Sequence, residues 1–226
     1  MPRRCMRIWS TSLPDIPACR RRGVVAAVAV ALLLAPALGG CGGASAQSGS
    51  GGRFAAADAL PPGLSGRPAP RIRLADARGG SFDTRTLAGK PFLVTFLYVD
   101  CPDVCPLIGD ELRQALAHLG PDARRVAVVA VSVDPRGDSA EAVRSWLARH
   151  REPSQFHYLI GRQSQLAPVW RAWFAAPQIS GRPDSTHTAA IWLVDAGGRL
   201  TGKVSAGVPF DPNALAHDLR ALLATA

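Results

Sequence analysis

The chain has 226 residues, 47% of them hydrophobic and 19% charged, with five cysteines and a formal net charge of +9. Six of the 26 basic residues and one of the 17 acidic ones precede Cys41, so from there on 20 basic residues face 16 acidic ones and the net charge is +4. With no Lys/Arg-rich stripe left, a nucleic-acid partner is excluded, while a mildly basic surface suits an anionic membrane or partner.

The amino terminus reads as an export signal. Arg20–Arg22 is a positive cluster, Val24–Leu38 is an apolar run, and Leu38-Gly39-Gly40-Cys41 follows. The run of about 15 residues is short of the roughly 20 that span a bilayer. Leu-Gly-Gly-Cys resembles a bacterial lipobox, in which the cysteine becomes the lipidated first residue. Residues 1–40 are therefore expected to be a lipoprotein-type signal peptide, with Cys41 lipidated. The protein would then sit in the bacterial cell envelope, on the exported side of the membrane, held by its lipid anchor. Residues 41–65 are rich in Gly, Ser, Ala and Pro. They cannot bury enough apolar surface to order themselves and read as a tether. The remaining 66–226 suits one domain with a single core.

In that domain, Arg71–Leu74 alternates before Gly79-Gly80 and predicts a short strand or hairpin. Phe92–Tyr98 is a continuous apolar run, as in a strand buried on both faces. It runs straight into Cys101-Pro102-Asp103-Val104-Cys105-Pro106. Pro106 suits the first position of a helix. The apolar face of that helix would be Leu107, Leu112, Ala115, Leu116 and Leu119, ending at Gly120-Pro121. Val126–Val133 predicts a second buried strand, stopped by Asp134-Pro135. Ser139 can cap a helix that points Val143, Trp146 and Leu147 inward. A short strand at Phe156–Ile160 and a helix over Gln165–Phe174, broken near Pro168, come next. A polar loop over 178–186 leads to a hairpin of Thr188–Val194 and Arg199–Val204, and a helix over Asn213–Leu222 closes the chain. Strands alternating with helices predict an α/β fold with a central, mostly parallel sheet flanked by helices.

Only Cys101 and Cys105 remain as thiols of the folded domain, since Cys5 and Cys19 precede the cleavage site. One pair has one connectivity, so the two either bridge each other or share a ligand. A structural bridge over so small a loop would restrain the unfolded chain little. The pair lies where a central strand ends and a helix begins, the edge at which open α/β sheets place their sites. Cys105 is expected beside the helix amino terminus, where partial positive charge favours a thiolate. Thiolates are soft ligands that select Cu(I), among others. A site that also holds Cu(II) needs a third ligand, and His187, in Asp184-Ser185-Thr186-His187-Thr188, is the best placed. His118, His150, His157 and His217 read as structural or solvated.

Gly89 through Pro106 closely resembles the Sco/SenC family of copper-binding, thioredoxin-like proteins. Val131-Ser132-Val133-Asp134-Pro135 matches a family segment, and His187, before a strand ending Val194-Asp195, matches its single histidine ligand. The resemblance covers roughly residues 65–225. It implies a thioredoxin-like fold with copper held by Cys101, Cys105 and His187. It also implies a role in building the binuclear copper centre of cytochrome c oxidase subunit II, with other copper chaperones and copper-acquiring proteins as further partners. Asp103 matches an acidic position between the family's cysteines and would tune the site. Thr186 and Val99 depart from the pattern, where Asp and Thr are common.

Three functions compete. A metallochaperone would hold Cu(I) or Cu(II) without turnover. A thiol–disulfide oxidoreductase would reduce the cysteines of a copper-acquiring partner. A thiol peroxidase is disfavoured, because the Thr that such enzymes place three residues before the reactive Cys is replaced by Tyr98 or Pro102. His187 favours the first, since dithiol exchange has no need of it.

Overall fold

The computed structural model describes residues 53–178 and 189–226, and the chain from Gln47 to Ala226 forms one compact unit. Seven strands make one mixed sheet: β1 (Arg73–Asp76), β2 (Ser81–Asp83), β3 (Phe92–Leu97), β4 (Ala127–Ser132), β5 (Phe156–Ile160), β6 (Ala190–Val194) and β7 (Leu200–Ser205), in the order β2-β1-β5-β4-β3-β6-β7. Four helices flank it: α1 (Val104–Leu119), α2 (Ala140–Arg149), α3 (Gln163–Ala172) and α4 (Pro212–Leu223).

The sheet is parallel only in its centre. β3, β4 and β5 pair in parallel, whereas β1 joins β5, β6 joins β3, and both outer hairpins pair antiparallel. The reason is visible in the connections. A parallel step needs a helical crossover, which α1 and α2 supply, but the Ala77–Gly80 and Asp195–Arg199 turns are too short for anything but hairpins. Every residue of β3, β4 and β6 is buried, which is why their sequences are apolar throughout rather than alternating.

The local signals act where they were expected, with shifts of a residue or two. The Ser139 hydroxyl accepts from the Ala142 N–H at 3.1 Å and starts α2. Gly120 ends α1 with φ of 60°, a conformation open to glycine. Pro106 is the third residue of α1, not the first, still inside the turn whose N–H groups lack helical partners. Ile108, not Leu107, takes the core position of the first turn. Pro168 lies inside α3 without breaking it.

One part of the segment with tether-like composition is held. Asp218 of α4, fully buried, accepts from the N–H groups of Ala55, Ala56 and Ala57, the last two at 2.8 Å. Asp58 bridges the outer edge of β7 at Lys203, and Leu60 is buried. Residues 53–60 thus form a strap over the β7 edge, which covers backbone groups that would otherwise offer a pairing surface.

Candidate metal centre

β3 ends at Leu97, and the chain then turns through 98–103 into α1. Asp103 is the N-cap of α1, its Oδ1 accepting from the Val104 N–H at 2.6 Å. That cap sets the first turn so that the Cys105 N–H points back to Cys101, donating to its Sγ at 3.2 Å. Cys101 is 6% exposed and Cys105 fully buried, and both are free thiols. The two sulfurs lie side by side where the central strand meets the positive end of α1.

The two thiols are unequal. The Cys105 side chain hydrogen-bonds Cys101 and, with the Cys105 and Asp103 backbone and the Tyr98 side chain, pulls the Cys101 pKa down to about 5 against its burial. The same hydrogen bond, followed by burial and the Cys101 charge, pushes Cys105 far up. The sequence assigned the thiolate to Cys105 because it sits on the helix. The sulfur that receives the helical N–H belongs to Cys101, outside the helix, and that sulfur carries the charge. Burial, then the charge and hydrogen bond of Cys101, raises Tyr98.

A buried carboxylate braces this turn from below. Asp138 accepts from the Val99 N–H at 2.9 Å and from the Tyr158 hydroxyl at 3.2 Å. Burial raises it to about 6, while its donors, Ser132 first, oppose the shift. Gly137 keeps the neighbourhood open: a Cβ there would lie 2.6 Å from Asp134 Oδ2 and 3.3 Å from Asp100 Oδ2. Sequence reading passed over Asp138 and Tyr158, and took Tyr98 only as the end of the strand and the residue in the place of a peroxidase Thr. The available signal was a charged residue four positions beyond a buried strand's stop, in Asp134-Pro135-Arg136-Gly137-Asp138.

Of the expected site residues, the structure brings Cys101, Cys105 and Asp103 together. His187 and Cys41 lie outside the described residues. The stems of the His187 segment are defined. Gln178 N–H donates to the Val133 carbonyl, just past β4, at 3.0 Å. Thr95 Oγ1 donates to the Ala190 carbonyl at the start of β6 at 3.1 Å, and Ile191 pairs with Thr95. Since β6 runs antiparallel to β3, both stems stand at the carboxyl edge of the central strands, the edge that carries Cys101. Among the described residues, no three His, Cys, Asp or Glu side chains form a group that could hold a metal. His157 pairs with Asp76 at 2.8 Å, His150 stacks on Trp146 with ring centroids 4.3 Å apart, and His217 adjoins Asp218 at 3.3 Å, so each has a local role.

Comparison with known proteins agrees with this architecture. The copper-bound ScoI of Bradyrhizobium japonicum is 29% identical and superposes with a TM-score of 0.59, over 70% of this chain and 100% of that one. BsSco, described as a member of the Sco family of cytochrome c oxidase assembly proteins with a disulfide switch, shares the fold at 16% identity and a TM-score of 0.63, covering 75% of this chain and 98% of that one. A SCO2-like protein of Rickettsia conorii is 26% identical over 136 residues, 57% of this chain and 64% of that protein's length. The family model for SCO1/SenC matches residues 67–224. Its span takes in every strand and helix of the sheet domain, and the chain belongs to the SCO1/SenC family.

Proposed function

We propose that this protein is a copper-binding metallochaperone that helps assemble the copper centre of cytochrome c oxidase. Copper is its cargo, held by Cys101, Cys105 and His187, and the folded domain is tethered to the exported side of the membrane through a lipid on Cys41. The observation that carries the reading is the pair of adjacent free thiols, with the pKa of Cys101 drawn down by its hydrogen bonds, at the edge where both stems of the His187 segment stand. Two soft sulfurs fit Cu(I), and an imidazole added to them extends the donor set to Cu(II). Asp103 holds the α1 terminus that fixes both sulfurs and places its carboxylate 3.9 Å from Cys101 Sγ.

The inequality of the thiols favours a second reading. A charged, slightly exposed Cys101 beside a buried, protonated Cys105 is the arrangement of an attacking and a resolving thiol. Cys101 would attack a partner disulfide, and Cys105 would then displace the partner. The dithiol gives two electrons and two protons, and the partner's disulfide becomes a dithiol.

The two readings separate at His187. His187→Ala is expected to weaken copper retention, most for Cu(II), while the dithiol still oxidises and reduces. Cys101→Ala and Cys105→Ala are expected to lose both properties. Metal analysis and charge-transfer absorption of the reconstituted protein measure retention, and oxidase assembly in cells measures function. Full oxidase assembly with His187→Ala, but not with either Cys variant, would put thiol reduction ahead of copper delivery.

A further inference from the structure

Cations gather at one end of the central strands, whereas the other end is mixed. At the carboxyl edge, Asp100 and Asp103 are exposed on either side of Cys101 and Asp134 lies close by, with Arg73, Arg136 and Arg162 exposed at the same edge. The opposite edge is cationic. Lys90 lies two residues before β3, Arg124 just before β4, Arg149 is the last residue of α2, and Arg151 lies between α2 and β5. Arg78, in the β1–β2 turn, reaches the same edge and donates to the carbonyls of Glu152 and Pro153 at 3.0 Å each. Arg53, the first described residue of the strap, donates to the Ala221 carbonyl near the end of α4 at 3.0 Å. All six are exposed, and none takes part in an ion pair among the described residues.

Little on this edge offsets them. Asp122 is engaged with Arg125 at 3.1 Å. Asp195 is turned into its own hairpin, accepting from the Arg199 N–H at 2.8 Å. Glu152 is buried. The C-terminal ends of α1, α2 and α4 attract cations through their dipoles, which accounts for Arg149. Arg124 lies in the last turn of the short 3-10 helix Gly120–Arg125, while Lys90 and Arg78 sit in connecting turns and have no such reason. Arg151 occupies the left-handed conformation, φ 53°, in which glycine is the easy choice.

The edge is continuous with the path to the anchor. Only residues 42–52 separate Arg53 from Cys41. Twelve peptide steps reach at most about 40 Å and average about 20 Å when flexible. A domain so tethered meets the lipid surface constantly, and the face nearest the tether decides its orientation.

We infer that this cationic edge is a docking surface for an anionic lipid bilayer, and that docking turns the thiol edge away from the membrane. The attraction is electrostatic and reaches about a Debye length. Each cation near the surface strengthens partitioning about fivefold. At the carboxyl edge Asp100, Asp103 and Asp134 are balanced by the exposed Arg73, Arg136 and Arg162, so that edge lacks the net attraction of the cationic one. The inference rests on the Cys41 anchoring proposed above for its setting, but its test needs neither lipidation nor copper.

The test uses the chain from Gln47 onward, which closes its own core between Leu60 and Leu223. Sedimentation with vesicles of phosphatidylcholine mixed with phosphatidylglycerol is compared with vesicles of phosphatidylcholine alone, at low and high salt. Binding to the anionic vesicles only, lost in high salt, is expected. Lys90→Glu with Arg124→Glu lowers partitioning at least about twentyfold. Arg73→Glu with Arg136→Glu, the same charge change at the carboxyl edge, leaves it within about threefold. Circular dichroism confirms folding. A second variant, Arg149→Ala with Arg151→Gly, removes two cations while relieving the Arg151 backbone, and also weakens binding. Equal loss from reversal at either edge overturns the inference, as does equal binding to both kinds of vesicle. Binding to polyglutamate with none to anionic vesicles overturns it too, and assigns the edge to acidic proteins.

Discussion

Cys101 and Cys105 are four positions apart in the same apolar surroundings, yet they differ in charge. The difference comes first from the hydrogen bond between the two side chains and then from one backbone N–H. The helix amino terminus offers Cys105 N–H outward, and Cys101 Sγ is the atom that receives it. In the reduced, metal-free protein this predicts selective alkylation. At pH 6.5 iodoacetamide should modify Cys101 and leave Cys105 unmodified, with the rate following a titration centred near pH 5. Mass spectrometry of digested protein measures both. The stability linkage has a definite sign. A thiol whose folded pKa lies below its unfolded value stabilises the fold fully above the unfolded pKa, near 9, and loses that contribution as pH falls toward 5. Cys101→Ala should therefore flatten the rise in stability over that interval. A midpoint of alkylation above pH 8 would remove the thiolate assignment. The two cysteines were legible from their isolation in the sequence. Which of them is charged was not, because that depends on how the two side chains hydrogen-bond and on the aim of one backbone N–H.

At the scale of elements, the strap and α4 show where sequence reading loses its grip. Residues 53–60 have the composition of a tether, and nothing near them in sequence gives a reason for order. The reason is Asp218, more than 160 positions away, which accepts three successive backbone N–H groups. Elements with local causes were readable: the Ser139 cap of α2, the Gly120 stop of α1, the unbroken apolar run of β3. The brace of Asp138 under Val99 and Tyr158 was hidden for the same reason as the strap, since its partners are 39 and 20 positions distant. Asp218→Ala should release the strap, leave its N–H groups to water, and cost about 3 kcal/mol. Denaturant unfolding gives the cost, and trypsin should then cleave faster after Arg53. An Asp218→Ala protein with the parent's stability and cleavage rate would mean that the strap contributes nothing to the fold.

For the whole molecule, pH acts on two buried carboxyls in the direction opposite to its action on Cys101. Glu152 lies between α1 and α2, with neither carboxylate oxygen hydrogen-bonded among the described residues. One oxygen lies 2.8 Å, and Trp146 2.9 Å, from where a Cβ on Gly109 would stand, so glycine is what lets the helix approach. Burial first, helped by Asp110 and opposed by Arg113 and Arg78, raises Glu152 to about 8. A carboxyl raised in the folded state holds its proton there while the unfolded chain has released it, so stability falls as pH climbs from 4.5 to about 8. Asp138, raised to about 6, adds to the same slope at its lower end. Glu152→Gln keeps the shape and removes the charge. At pH 9 it should be more stable than the parent by on the order of 1–3 kcal/mol, and at pH 4 the two should coincide. Thermal unfolding across that range, with the thiols kept reduced, measures the difference. A gain that is the same at both pH values would mean that the amide simply packs better there than the carboxyl of Glu152, and that no buried charge was being carried. A loss at pH 9 would mean that the ionised Glu152 is paired with Arg113 or Arg78 in solution.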